Sequence, residues 1–486
     1  MDYPSISHHG AIRGVGGSCH QLHLSSVRSL LVDCGLDHDA GRRAACEGTP
    51  DFRDPGIAAL LVTHVHLDHV GRIPELFAAG FQGPIICSEP SAHLLPLVLE
   101  DAFKLGFSCD PERVEQYLRR VRRAIVALPF DRWHDLSVAG AACRVRFRRA
   151  GHLLGSAYIE CDVGYSAGGR GTRFVFSGDI GASDNPVLIA PHSPRYADVL
   201  VLESTYGNRL HEERSTRRQC LEQAIERALA DRGTVLIPAF SVGRTQELLF
   251  EIEEILYRKS LIQHSSEQLG TPSLLCAPVD WAQLPIILDS PLAVRLTAAY
   301  RQLSEFWSGA ARQRLAEGRR PLGFRQLIAV DSAAQHRQVV NYLASTGRPA
   351  IVIAGNGMCS GGRIVSYLKS MLGDRRHEVI FTGYQAKGTP GAVIQASEGA
   401  EGFVMIDLDS AMYEIRAKVM TLGGFSAHAD QAGLVEFVLG MERAPQKVVL
   451  VHGEAAAKRA LAEQLRLRFQ ARGWQVSVEV PDAVGG

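Results

Sequence analysis

The sequence has no Cys-x-x-Cys pair, no excess charge of either sign and no long apolar run. Its ten cysteines (Cys19, Cys34, Cys46, Cys87, Cys109, Cys143, Cys161, Cys220, Cys276 and Cys359) are scattered through 486 residues. That spacing excludes a Cys-type zinc site and a disulfide framework, and reads as reduced, mostly buried thiols. No apolar stretch reaches the ~18 residues of a membrane span. The segment from Met1 to His9 lacks a basic and then an apolar region, so no signal peptide is visible. The expected address is the cytoplasm. Lys+Arg and Asp+Glu balance at 52 each, so bulk charge names no partner, although a local groove in a neutral protein can still bind nucleic acid. With 46% hydrophobic and 21% charged residues, a disordered chain and a coiled coil are excluded too. The length calls for two or three structural units.

Short apolar runs ended by polar turns recur along the chain: 29–33, 57–62, 173–177, 199–202, 235–237, 351–353, 379–381 and 447–451. Stretches with apolar residues at i, i+3 and i+4 follow several of them, at 243–256, 362–372 and 454–469. Repeated strand-then-helix makes an α/β protein. Leu261 to Pro285 lacks periodicity and is expected to be a long loop, and Ser166 to Thr172 a turn between strands. Two basic clusters stand out. Arg119 to Arg123 reads as the solvated face of a helix. Arg144, Arg146 and Arg148 alternate with Val145 and Phe147, and read as the polar face of a strand.

The densest chemical signal is Thr63-His64-Val65-His66-Leu67-Asp68-His69, directly after the run at 57–62. Three imidazoles and a carboxylate buried together without a cation would cost roughly 1–3 kcal/mol each as unsatisfied groups. His64 and His66, two apart in extended chain, project to the same side. One loop can therefore offer two histidines to one metal and an Asp-His pair to another. His152 in Gly151-His152-Leu153-Leu154-Gly155, Asp179 in Ser177-Gly178-Asp179-Ile180-Gly181 and His452 in Val451-His452-Gly453-Glu454 stand at similar turns. Together these are seven N/O donors of the kind zinc or manganese prefers.

These motifs resemble the metal-binding motifs of the metallo-β-lactamase fold. Leu202-Glu203-Ser204-Thr205-Tyr206-Gly207, Gly424-Phe425-Ser426-Ala427-His428-Ala429-Asp430 and Val451-His452-Gly453-Glu454 are similar to the three extra motifs of its β-CASP branch, a group of nucleases. The resemblance implies a four-layer αββα metallo-β-lactamase domain with an inserted Rossmann-like cap. Residues 1–207 would begin the first domain, 208–395 would form the cap and 396–486 would return to the first. It implies two Zn²⁺, or Mn²⁺ in their place. His64, His66 and His152 would hold one ion, Asp68, His69 and His452 the other, and Asp179 both. It further implies hydrolysis of RNA phosphodiesters by a hydroxide activated on the metal pair. Asp68, Glu203 and His428 would be the catalytic residues, with His428, oriented by Glu203, as the general acid. The histidine at 452 matches the RNA-acting members. A DNA nuclease of the same fold and a pseudo-nuclease that only binds RNA are the alternatives.

Two loops are candidates for gripping the substrate: 354–363, with Gly357, Ser360, Gly361 and Arg363, and 240–245, with Ser241 and Arg244. Backbone N–H groups and helix N-termini there would favour a phosphate, and the implied partner is single-stranded RNA with weak sequence preference. Ser426 and Lys387 complete the candidate set. Ala392 stands where the family's Gln-Ala-x-Gly-Thr-x-Gly-Arg segment has arginine, so one cationic contact of relatives is missing. A homodimer is compatible with this reading, and no membrane partner is expected.

Overall fold

The computed structural model describes residues 3–37, 52–136, 142–164, 171–211, 216–268, 281–383, 385–400 and 402–481, with the backbone alone over 262–268. Two compact units emerge: Met1–Leu210 with Ala427–Gly486, and His211–Ser426.

The first unit opens with β1 (Ser5–His8), β2 (His20–Ser25), β3 (Arg28–Val32) and β4 (Ile57–Leu61). Two short helices follow, α1 (Leu67–Val70) and α2 (Ile73–Ala78), then β5 (Ile85–Ser88), α3 (Glu89–Gly106), α4 (Pro111–Ala124) and β6 (Ile125–Leu128). A second series holds β7 (His134–Asp135), β8 (Cys143–Arg149), β9 (Ala157–Val163), β10 (Thr172–Phe176) and β11 (Val199–Glu203). The second unit runs through α5 (Arg217–Ala230), β12 (Thr234–Pro238), α6 (Arg244–Gln268), β13 (Ile286–Asp289), α7 (Pro291–Gln302), α8 (Gly309–Ala316), β14 (Leu327–Ala329), α9 (Ala333–Thr346) and β15 (Ala350–Ala354). It continues with α10 (Arg363–Met371), β16 (Glu378–Phe381), α11 (Pro390–Ala396), β17 (Met405–Leu408), β18 (Ala411–Glu414) and β19 (Lys418–Thr421). The chain then returns to the first unit as α12 (Gln431–Leu439), β20 (Lys447–Val451), α13 (Ala455–Ala471) and β21 (Ser477–Glu479).

In the first unit, β1 to β6 form one sheet in sequence order. The other sheet is ordered β21-β20-β11-β10-β9-β8-β7. Strict alternation decides how they stack. On β8, Cys143, Val145 and Phe147 point inward and join Leu22, Val32, Leu61, Ile159, Phe176 and Val451 in one core between the sheets. The opposite face of β10, β11 and β20 is covered by α12 and α13 through Leu434, Phe437, Val438, Leu461 and Leu465. α3 packs on β5 and β6 outside the first sheet. Helices on both outer faces give the four-layer αββα architecture. The helical arginine cluster is a solvated face as expected, with Arg119, Arg120, Arg122 and Arg123 exposed, Arg120 lying over the Phe77 ring.

The sheet of the second unit is ordered β14-β13-β15-β12-β16-β19, parallel throughout. The chain enters at β12, moves out to β13 and β14, returns to β15 between β13 and β12, then builds the other side. This is the doubly wound pattern of a Rossmann-like sheet. Residues 396–426, expected in the C-terminal return, lie in this unit, because β19 extends its sheet beside β16. The long loop expected over 261–285 is shorter, since α6 continues to Gln268; residues 269–280 lie outside the described residues. Residues 166–170 of the expected turn also lie outside them, and Thr172 already belongs to β10.

The outward positions of β8 carry arginines of the second basic cluster, and β9 answers two of them with carboxylates in register, Arg144 opposite Asp162 and Arg146 opposite Glu160, while Arg148 stands opposite Tyr158. Asp162 also takes two hydrogen bonds from the buried Arg173 of β10, at 2.6 and 2.8 Å. Burial alone would raise the Asp162 carboxyl, but hydrogen bonds from Arg173 and Arg144 hold it below its ordinary range. A carboxyl so depressed stabilises the fold fully above its unfolded pKa of about 4, and that contribution fades as pH falls through the lower folded value. Asp162→Asn, which leaves Arg173 buried without its counter-charge, should cost ~3–5 kcal/mol at neutral pH. The variant should also show a flatter acid limb of stability. Thermal or urea unfolding across pH tests both expectations; a loss under ~1 kcal/mol would show that Arg173 finds another partner.

Candidate metal centre

The strands β4, β8, β10, β11 and β20 all end at one edge of the first unit, and each delivers one piece of the centre. His64 and His66 leave β4, and Asp68 and His69 sit in α1. His152 follows β8, Asp179 follows β10, Glu203 ends β11 and His452 follows β20. His428, just before α12, is tied in by an antiparallel bridge to Gly181. Two glycines make the approach possible. A Cβ on Gly178 would lie 2.7 Å from Thr63, and one on Gly181 would lie 1.9 Å from the Gly151 carbonyl. The turn bearing Asp179 can therefore lie directly on the turns bearing the histidines.

Asp179 is the hub. Its Oδ2 faces His64 Nε2 at 3.4 Å and His152 Nε2 at 3.5 Å. Its Oδ1 faces His69 Nε2 at 3.4 Å and His452 Nδ1 at 3.6 Å. His66 Nδ1 lies 3.1 Å from both His64 Nε2 and His152 Nε2, and Asp68 Oδ2 lies 3.3 Å from His452 Nε2. The donor atoms of His64, His66, His152 and Asp179 all fall within 4.8 Å of one another, as do those of Asp68, His69 and His452. All seven residues expected from the sequence as ligands are thus brought together.

The donor set fits divalent cations. Three ring nitrogens converge where hydrogen bonds alone cannot satisfy them all, and the buried His69 Nε2 and Asp179 Oδ1 make no hydrogen bond. Burial, reinforced by neighbouring imidazoles, holds His64 and His152 below the ordinary histidine range and His66 down to about 3, so these rings are neutral and their lone pairs available. Burial opposes the charge on Asp179, but the surrounding imidazoles outweigh it and keep the carboxyl ionised. Burial opposes charge on His69 and His452 as well, but the carboxylates, Asp179 foremost, outweigh it and hold those two rings above the ordinary histidine range. They would release a proton to a bound cation, since zinc or manganese takes imidazole in its neutral form.

A second layer holds these groups still. Asp33, at the end of β3, is buried and adopts a left-handed backbone with φ of 60°. It accepts from His69 Nδ1 at 2.7 Å and from both the N–H and the hydroxyl of Thr63 at 2.8 Å. The proton on Nδ1 turns Nε2 of His69 to the centre. Thr205 Oγ1 meets His452 Nδ1 at 3.2 Å, and His452 itself holds a φ of 51°, a strained value for a residue with a Cβ. Neither Asp33 nor Thr205 stood out in the sequence. The signal for Asp33 was an aspartate ending an apolar run, the same feature that marks Asp179.

Glu203 and His428 form a separate pair beside the hub. Glu203 Oε1 accepts from the Ile180 N–H at 2.9 Å and its Oε2 from the Thr205 N–H at 3.1 Å, so the carboxylate is fixed by backbone. His428 Nδ1 lies 3.0 Å from Glu203 Oε1, and its Nε2 lies 3.9 Å from Asp179 Oδ2. Burial would lower the pKa of His428, but the carboxylates of Glu203 and Asp179 push it up to about 9. Its side chain keeps 20% exposure, so the ring is reachable from solvent. Asp430 caps α12 by accepting from the Gly433 N–H.

The residues expected to touch substrate lie in the second unit. The loops after β12 and β15 share one edge of the parallel sheet, with Ser241 in the first and Gly357, Ser360 and Gly361 in the second. Ser241 Oγ meets Ser290 Oγ at 3.1 Å, and Arg244 pairs with Glu247 at 2.8 Å. Lys387 is exposed, and Ser426 closes the unit. Arg363 is differently employed. It donates to Asp289 Oδ1 at 2.6 Å and to the carbonyls of Val330 and Asp331, while Asp289 Oδ2 also takes the Tyr367 hydroxyl at 2.5 Å and His336 Nδ1 at 2.7 Å. The guanidinium is a brace around a fully buried carboxylate.

A four-layer αββα unit with a His/Asp cluster at the ends of its strands defines a metallo-β-lactamase-type hydrolase fold. Residues 28–237 match the Beta-lactamase superfamily domain, 245–394 the Beta-Casp domain, and 412–480 the Zn-dependent metallo-hydrolase RNA specificity domain. Ribonuclease TTHA0252 of Thermus thermophilus is 37% identical over 465 residues, covering 95% of this chain and 96% of the relative. Transcription termination factor FttA of Methanocaldococcus jannaschii is 29% identical over 96% of this chain and 69% of its own length. The same factor from Methanothermobacter thermautotrophicus is 29% identical over 93% and 67%. The chain belongs to the β-CASP family of the metallo-β-lactamase superfamily.

If Asp33 positions His69, Asp33→Ala should lower zinc affinity ~10–100-fold. Competition against a chromogenic chelator, with circular dichroism to check the fold, reads this directly. Unchanged affinity would reduce Asp33 to a backbone tie for Thr63.

Proposed function

We propose that this protein is a metal-dependent ribonuclease that hydrolyses RNA phosphodiester bonds. The observation that carries the reading is Asp179, whose two oxygens face two separate sets of imidazoles while the Glu203–His428 pair stands beside it. His64, His66 and His152 would hold one cation, Asp68, His69 and His452 the other, and Asp179 both. Two divalent ions there, zinc by the family description and manganese as the alternative, would supply a nucleophile at neutral pH and neutralise charge building on the phosphoryl oxygens. RNA as the substrate is supported by the RNA specificity domain at 412–480 and by the name of the Thermus relative.

The chain's own part is to place the phosphate and deliver a proton. An expelled ribose 3′-oxygen is so basic that it departs poorly without one. His428, charged at neutral pH and held through Nδ1 by Glu203, presents Nε2–H toward the centre and serves as general acid. The RNA backbone is taken by the second unit: the N–H groups of Gly357 and Gly361, the hydroxyls of Ser241, Ser360 and Ser426, and the cations Lys387 and Arg244. Arg363 shapes its loop from behind. Contacts of this kind position a strand without reading its bases. The cysteines among the described residues are all unpaired thiols, most of them buried, which suits the cytoplasm.

Asp179→Ala should lose bound metal and hydrolysis together while keeping its fold. Elemental analysis showing two ions per chain in that variant would remove the shared-ligand role. His428→Ala, by contrast, should keep its ions and bind RNA, yet cleave ~10²–10⁴-fold more slowly. A substrate with sulfur in place of the bridging 3′-oxygen leaves as a thiolate and barely needs a proton, so it should largely restore the rate of His428→Ala. Equal defects on both substrates would exclude His428 as the acid.

A further inference from the structure

Tyr206 stands in the turn Ser204-Thr205-Tyr206-Gly207 that follows β11, and three further elements of the first unit hold that turn still. At the end of β20, the Ser204 N–H donates to the His452 carbonyl at 3.1 Å and the Ser204 hydroxyl to the Val451 carbonyl at 2.7 Å. Gln431, the first residue of α12, donates from its side chain to the Gly207 carbonyl at 2.6 Å. Gly207 lies so close to α13 that a Cβ on it would be 2.5 Å from the Ala457 carbonyl. The turn also closes on itself, from the Gly207 N–H to the Ser204 carbonyl at 3.0 Å.

The ring carried on this rigid turn is partly exposed and belongs to neither of the two cores described for its unit. Its centroid lies 6.1 Å from that of His428, with the planes tilted by 58°, so the imidazole does not lie flat on the phenol. Phosphodiester hydrolysis says what should lie on that side of His428. The attacking water and the departing oxygen stand roughly in line across phosphorus. The water's oxygen bonds to phosphorus and one of its protons passes to solvent, while the P–O3′ bond breaks and the 3′-oxygen takes the proton of His428. The nucleoside that departs therefore lies on the side of the acid, where Tyr206 is the neighbouring phenol ring.

We propose that Tyr206 is the stacking platform for the base of the departing nucleoside, the one whose 3′-oxygen leaves. The proposal rests on the ribonuclease reading and deepens it. Backbone contacts alone leave that nucleoside free to turn about its sugar–phosphate bonds, whereas a stacked base fixes its 3′-oxygen toward Nε2 of His428. Every base has a π-face, so the contact holds the nucleoside without choosing a sequence.

The test compares Tyr206→Leu, which keeps apolar bulk but loses the flat face, with Tyr206→Phe and Tyr206→Trp, which retain it. Cleavage is measured at one mapped linkage of a short single-stranded RNA in three forms: intact, abasic at the departing nucleoside, and abasic at the nucleoside that keeps the phosphate. On intact RNA, Tyr206→Leu should lower kcat/KM ~10–100-fold with bound metal unchanged, and the two aromatic variants should keep most of the parent's activity. On RNA abasic at the departing nucleoside, Tyr206→Leu and the parent should be alike, while on the other abasic RNA the full defect should persist. Fluorescence anisotropy in the slow-cleaving His428→Ala background should show the same pattern in affinity. An undiminished Tyr206→Leu defect on RNA abasic at the departing nucleoside would overturn the platform. So would recovery of the variant on a substrate with a bridging 3′-sulfur, since Tyr206 would then act through His428, or loss of bound metal, which would make the ring part of the fold. A parent enzyme that does not cleave RNA at all would instead sink the ribonuclease reading itself.

Discussion

One carboxylate organises this protein. Asp179 sits among buried imidazoles, and its two oxygens divide them into two sets. Like-charged or lone-pair-bearing groups do not gather in a dry space unless something of opposite charge holds them there. Asp179 does so in part, and the nitrogens and oxygens left unmatched around it define where cations belong. Because every donor must reach this one point, five strand ends have to meet at one edge. The two-sheet architecture provides that edge.

Around the hub, precision comes from groups that never face the reacting centre. Asp33 turns His69, Thr205 meets His452, and Glu203 is itself fixed by two backbone N–H groups before it holds His428. The backbone is forced where side chains cannot yield: Asp33 and His452 both take left-handed conformations that cost of order 1–3 kcal/mol. The buried β-sheet core beneath repays that strain. A site built on strand ends, with its orienting partners hydrogen-bonded from other strands, is stiffer than one built on loops.

The second unit follows a different logic. Its parallel sheet brings strand-end loops to one edge, and the network on Asp289 locks the loop that carries Gly357 and Ser360. Arg363 shows how a cationic side chain in a glycine-rich loop can be structural: its donors are spent on a buried carboxylate and two carbonyls, so its charge orders the loop. The arginines of β8 are likewise paired, Arg144 with Asp162, Arg146 with Glu160, and Arg148 and Arg149 with Asp131.

The sequence by itself determined the elements and most of the centre. Period-two and period-3.6 patterning marked the strands and helices, and His64, His66, Asp68 and His69 are legible because one turn places four donors within six residues. His152, Asp179 and His452 each sit in a short motif beside a strand end, whereas Glu203 and His428 are legible only through the resemblance of their motifs to those of the β-CASP branch. Only the tertiary structure decided what lies between motifs. Asp33 and His69 are 36 residues apart and Thr205 and His452 are 247, and no local pattern encodes such a hydrogen bond; the Glu203–His428 contact, across 225 residues, was expected only through the family resemblance. The same holds for Arg363, whose partner Asp289 lies 74 residues away, and for β19, whose place beside β16 put residues 396–426 in the second unit. Local propensity is written in neighbouring residues, whereas the partner of a buried polar group is chosen by whichever strand the sheet order sets beside it.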